Sequence, residues 1–205
     1  TAGGPGSGKS HVASASGAGR SNPYGLKVVD SDPLFAKMLK DAGMATKAAD
    51  IYSDEGQAIR LRSKQKTKAR QSGWVDGRLG IIIDGTGKDV TKIGRQKALL
   101  DQLGYQCAMV FANTSLEVAQ IRNKERARTL PEKSVEQMWN GVQKNIGAFQ
   151  SLFGSSHFII VDNNEAGEDV FQKVYKRIRS LVTKKPTKRQ AKQWIANELK
   201  KKDRR

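Results

Sequence analysis

Gly3-Gly4-Pro5-Gly6-Ser7-Gly8-Lys9-Ser10 opens a chain of 205 residues, and the fold is decided by how this octet is read. It fits the pattern G-x-x-x-x-G-K-[ST] without a mismatch. Glycines let the backbone turn so that successive amides point inward at phosphate oxygens. A helix starting at Lys9 adds the partial positive charge of its N-terminus. Lys9 then reaches the β- and γ-phosphates of ATP, and Ser10 offers its hydroxyl to Mg²⁺. Gly4, Pro5 and Gly6 inside the loop, and the α/β alternation that follows, favour this reading over a glycine-rich linker. Such a loop should follow a β-strand, yet nothing precedes Thr1. The expectation is a chain that lacks its first strand, with a sheet split in two.

Beyond the octet, short apolar runs alternate with amphipathic segments, the pattern of an α/β protein with a parallel sheet and crossover helices. Strands are expected at residues 26–30, 79–84, 106–111 and 157–162, each nearly continuous in apolar residues, as when both sheet faces are covered. Helices are expected at 9–15, 33–42, 54–72, 90–103, 115–128, 134–152 and 165–182. Past Pro186 a short basic helix over 188–202 has Ala191, Trp194, Ile195 and Leu199 as one apolar stripe.

Two carboxylates follow the first of these strands in Val28-Val29-Asp30-Ser31-Asp32-Pro33. The carboxyl edge is where open α/β sheets bind ligands, and a carboxylate there can accept the proton of an attacking hydroxyl. Asp32 precedes Pro33 and also reads as a helix N-cap, so the choice between Asp30 and Asp32 stays open on spacing alone. Ile81-Ile82-Ile83-Asp84-Gly85-Thr86-Gly87 is a buried strand ending in Asp, where Asp84 would hold the Mg²⁺ shell; Thr86 is placed to touch an acceptor. In Ile121-Arg122-Asn123-Lys124-Glu125-Arg126, Arg122 and Arg126 share a helix face. Arginines so placed can close over a transferring phosphoryl group; a solvated surface is the alternative. Asn163-Asn164, after the last strand, either faces the adenine or forms a plain turn. His11 adjoins the loop, and Cys107, Met138, Trp139, Ile146 and Phe149 read as core.

The net charge of +17 is uneven. Residues 183–205 hold ten basic side chains against two acidic ones, and residues 60–78 hold seven against one; the remainder is close to neutral. Such an excess favours anionic partners, nucleotide or nucleic acid. The single cysteine excludes a disulfide framework and a cysteine zinc site, and suits a reducing compartment. No apolar run approaches the roughly 20 residues that span a bilayer, and no signal peptide opens the chain. A cytoplasmic protein with no membrane partner is expected.

Residues 3–10, 28–32, 81–87 and 122–128 with Leu130-Pro131-Glu132 come in the order and at the spacing of a known group. They resemble the P-loop kinases that include zeta toxins and the 5′-hydroxyl kinase domain of phage polynucleotide kinase. The resemblance covers residues 1–152, and the whole chain is similar to small phage-encoded kinases, which would place it in the host cytoplasm. It implies a three-layer P-loop NTPase fold with a five-stranded sheet of order 2-3-1-4-5. It also implies ATP with Mg²⁺ and phosphoryl transfer to a hydroxyl on an anionic acceptor, a nucleic-acid 5′ end or a nucleotide sugar. By this resemblance Asp32 looks like the general base, Lys9 and Ser10 like the phosphate and metal contacts, and Arg126 like the lid arginine with Arg122 nearby. The implied layout is a kinase domain over 1–182, an acceptor-binding insert near 50–78, a lid near 122–133 and a basic tail over 183–205. The rival readings are a nucleoside monophosphate kinase and a nucleic-acid-binding or virion-associated protein in which ATP is secondary.

Overall fold

The computed structural model describes residues 1–125 and 129–203. Two parallel strand pairs form its centre. β1 (Lys27–Val29) pairs with β2 (Ile81–Ile83), and β3 (Met109–Asn113) pairs with β4 (Phe158–Asp162). The expected split is present but bridged. The Ala2 amide donates to Val110 O (2.9 Å) and its carbonyl accepts from Ala112 N (2.9 Å). On the other side Thr1 N donates to Ile83 O (2.7 Å), and Thr1 O accepts from Gly85 N (3.1 Å). Two residues thus fill the gap between β2 and β3.

Alternation along β3 and β4 explains the layers. Val110, Ala112, Ile159 and Val161 turn to one face, against Val12 of α1 (Lys9–Ala15) and Phe171, Val174 and Ile178 of α9 (Glu168–Val182). Met109, Phe111 and Phe158 turn to the other. There they meet α5 (Val90–Gln102), α7 (Glu132–Gln143) and α8 (Ile146–Phe153). A third cluster joins α2 (Asp32–Asp41), α3 (Ala48–Tyr52) and α4 (Asp54–Asp76) through Phe35, Leu39, Ile51 and Ile59.

Several expectations need correction. The single helix over 134–152 is two, broken where the Asn145 side-chain amide donates to the carbonyls of Gly87 (2.9 Å) and Lys88 (3.0 Å). This side chain competes with helical continuation by serving a neighbouring loop. α3 has no counterpart among the expected helices. Asp32 is the first residue of α2, after Ser31, and makes no capping bond. α6 (Leu116–Lys124) starts as expected, with Ser115 Oγ accepting from Val118 N (3.2 Å). Cys107 lies ahead of β3, only half-buried, and burial pushes its thiol up to about 11. Met138 is exposed, whereas Phe149 is fully buried.

The basic tail forms α10 (Arg189–Lys202) and docks at the amino end of the strands. Gly104, at φ +93°, lies against the backbone of Ala191, where a Cβ would come within 2.6 Å of the Ala191 amide nitrogen. Lys188 Nζ donates to Asp101 (2.7 Å) and to Tyr105 O (2.6 Å), and Gln106 donates to Thr187 Oγ1 (2.9 Å). Ala191 and Trp194 turn inward, while Ile195 and Leu199 face solvent rather than completing the stripe.

Burial acts to raise the Asp101 carboxyl, but hydrogen bonds and charge from Lys188 and Lys97 outweigh it and hold the group below its usual value. A depressed folded value means that the stabilisation is full above the unfolded value of about 3.9 and is lost as pH falls through the folded one. Lys188→Met should therefore lower the melting temperature at pH 7 by about 2–4 °C, roughly 1 kcal/mol. Thermal melts should show this deficit shrinking in acid as Asp101 protonates.

Candidate functional site

The glycine-rich loop springs from the Thr1–Ala2 bridge and runs directly into α1. Gly8 adopts a left-handed conformation (φ 68°, ψ 22°), and its carbonyl accepts from Val12 N (2.9 Å), starting the helix. Gly6 (φ +76°) lies so close to the α6 backbone at Ala119 that no side chain fits there. Gly3 N donates to Thr86 O (3.3 Å), so Thr86 braces the loop through its backbone. Ser7 is buried, and its hydroxyl has no hydrogen-bond partner among the described residues.

Lys9 points from the start of α1 across to the carboxyl end of β2, where it pairs with Asp84 Oδ2. Thr1 Oγ1 donates to the other Asp84 oxygen. Asp84 N donates to Val29 O (3.0 Å), extending the β1–β2 ladder past the strand end and fixing the carboxylate beside the loop. Ser10 is exposed on the first turn of α1.

The two carboxylates after β1 have different surroundings. Asp30 accepts from Arg20 Nη2 (2.7 Å) and from Asp32 N (2.9 Å). Asp32 is exposed, and its carboxylate has no side-chain partner among the described residues. One carboxylate shapes the turn; its neighbour is left free at the sheet edge.

On the opposite side of the loop, Arg122 lies beside Gly8, with Nη1 3.7 Å from where a Gly8 Cβ would stand. Its Nη1 and Nη2 donate to the carbonyls of Asn163 (2.7 Å) and Asn164 (3.0 Å). Asn163, 4% exposed, donates its side-chain amide to Ser7 O (2.8 Å) and its backbone N–H to Asn113 O (2.8 Å). It braces the loop instead of standing free for a base. Gly8, His11, Arg122, Glu125, Asn163, Glu165 and Ala166 line an open cavity of about 380 Å³. The His11 ring meets Phe171 edge-on at 5.1 Å.

Arg126 lies outside the described residues. On either side of that segment, Asn123, 2% exposed, donates to Leu130 O (2.8 Å) and accepts from Leu130 N (3.1 Å). Lys124 pairs with Glu132 at 2.7 Å. Sequence reasoning misses the part played by α7. The Trp139 indole N–H donates to Thr114 O (2.8 Å), the Trp139 backbone flanks Gly4, and Gln143 donates to Asn113 Oδ1 (2.6 Å). Trp139 reads as core in the sequence, and no local pattern distinguishes it.

A parallel sheet, a Gly-rich loop feeding a helix, and a lysine and a carboxylate at the strand ends define a P-loop nucleoside-triphosphate-binding domain. The chain belongs to the AAA domain family, whose pattern matches residues 1–144. That membership carries nucleotide binding. No curated protein matches the chain. Among the described residues no helix is long and apolar enough to cross a membrane.

Asn163→Leu keeps the bulk of the side chain but leaves Ser7 O without its donor. An unmet buried carbonyl costs about 1–3 kcal/mol. The variant should melt several degrees lower and bind a fluorescent ATP analogue more weakly, as read by anisotropy.

Proposed function

We propose that the chain is an ATP-dependent kinase that transfers the γ-phosphoryl group to an acceptor hydroxyl. The observation that carries this reading is the unengaged Asp32 carboxylate at the strand edge that also bears the phosphate loop. Asp30, by contrast, is committed to Arg20 and the turn. In this reading residues 1–182 form the catalytic domain, with an acceptor-binding insert near 50–78, a lid near 122–133 and an appendage over 183–205.

The loop amides of Gly4, Gly6 and Gly8 hold the phosphates, and Lys9 leaves Asp84 to follow the transferring group. The Arg122–Asn163 wall with His11 lies on the base side. The acceptor oxygen attacks the γ-phosphorus as its proton passes to Asp32. The bond from that phosphorus to the β,γ-bridging oxygen breaks, and ADP departs. Arg126 is the lid arginine that neutralises charge on the equatorial oxygens.

Mg²⁺ fits the donors present, since the Ser10 hydroxyl and Asp84 carboxylate are hard oxygen ligands beside the lysine. The buried, unpaired Ser7 hydroxyl and the left-handed backbone at Gly6 and Gly8 fit a phosphate-binding loop. When bound, the ion neutralises phosphate charge.

The test is transfer of labelled γ-phosphate from ATP to 5′-hydroxyl oligonucleotides, nucleoside monophosphates and nucleotide sugars. Lys9→Ala should abolish labelling of whichever acceptor is used; persistence would point to a contaminant or another site. Asp32→Asn should lower kcat by about 10²–10⁴ and leave ATP binding intact. Transfer that survives Asp32→Asn would favour a nucleoside monophosphate kinase, whose acceptor is already ionised.

A further inference from the structure

The two segments that hold nearly all the excess positive charge, residues 60–78 and 183–205, are over a hundred residues apart in the sequence and meet in the fold. Arg78, just past α4, stands over the Trp194 ring of α10, 5.9 Å from its centre. The Tyr105 hydroxyl donates to Leu79 O (2.9 Å), and Lys188 donates to Tyr105 O. Leu79 and Tyr105 lead into β2 and β3, so this junction lies at the amino edge of the sheet, opposite the phosphate loop.

α4 is 23 residues long, about 34 Å. Its stripe of Gly56, Ile59, Ser63 and Thr67 is buried, while Arg62, Lys66 and Arg70 descend one flank and Lys64 and Lys68 the other. All five are exposed, and none has an ion-pair partner among the described residues. Elsewhere, Lys37, Lys97 and Lys173 each sit one turn from an aspartate with which they pair. Like charges one turn apart repel along a helix, so this arrangement does not serve the stability of the fold. It suits a partner that presents a regular array of negative charge. The crest between the flanks carries Leu61, Gln65 and Ser72, which is too polar for a helix that beds into lipid.

We propose that α4 and α10 together form a docking surface for the phosphate backbone of nucleic acid, at the sheet edge remote from the nucleotide site. α4 falls inside the segment over 50–78 assigned above to the acceptor, and binding at this surface needs neither ATP nor phosphoryl transfer.

The experiment uses the full chain with labelled duplex and single-stranded DNA, following anisotropy across a salt series. Wild type should bind with a steep salt dependence. Replacing Arg62, Lys64, Lys66, Lys68 and Arg70 together by Gln should weaken duplex binding at least about tenfold. The log–log salt slope should flatten by about 0.9 for each phosphate that the protein no longer neutralises. A second variant, Lys192→Gln with Lys200→Gln and Lys202→Gln, should act in the same direction. Melting temperature should not fall below the wild-type value in either, and binding of a fluorescent ATP analogue should be unchanged. The proposal is overturned if wild type binds neither strand form, or if both variants keep the wild-type slope. Binding to vesicles of anionic lipid without binding to nucleic acid would overturn it too.

Discussion

The backbone hydrogen bonds of Thr1 and Ala2 are the constraint on which the remainder depends. Among the described residues β1–β2 and β3–β4 have no hydrogen bonds to one another; each is tied to these two residues. The phosphate loop begins at the next residue, so its position is set by the same bonds that join the halves of the sheet. Ala2 is fully buried against Met109, Phe111 and Phe149, which adds apolar packing to the ladder. Sheet continuity and loop placement are therefore one feature of the molecule.

From that anchor the carboxyl edge is assembled by loops that bond to each other. Asn163 reaches from the end of β4 to Ser7; Arg122 reaches from α6 back to the Asn163 and Asn164 carbonyls; Asn145 holds the turn after Asp84. Each of these bonds joins segments far apart in the chain, and each uses an amide or guanidinium to satisfy a carbonyl that no regular ladder serves. The phosphate loop is braced from behind, while Lys9, Ser10 and Asp32 remain on its open side.

What is legible in the sequence follows from locality. The octet at residues 3–10 declares its shape because glycine positions and a following helix are local facts; α1 spans the residues expected. The β-strands follow from their apolar runs, though β3 is shifted to Met109–Asn113 because pairing with β4 carries it on through Ala112 and Asn113. The break between α7 and α8 is not legible, since Asn145 is an ordinary helix residue until its long-range carbonyl partners are known. The same holds for Asn163, whose side chain is committed to a residue 156 positions away. Asp30 and Asp32 differ through Arg20 and the Asp32 amide, which both donate to Asp30, and nothing in the spacing announces those partners. The tail shows its charge plainly, but its seat depends on Gly104, Asp101 and Tyr105, which carry no mark of it.

Gly104 gives that seat an unusual character. Because the Ala191 main chain rests where a side chain would otherwise be, shape at one backbone crossing helps to settle where α10 lies, whatever its outward residues are. The solvent-facing half of the helix is thereby released from any architectural duty. Its charges can drift, multiply or disappear over evolutionary time while the helix stays berthed in the same place.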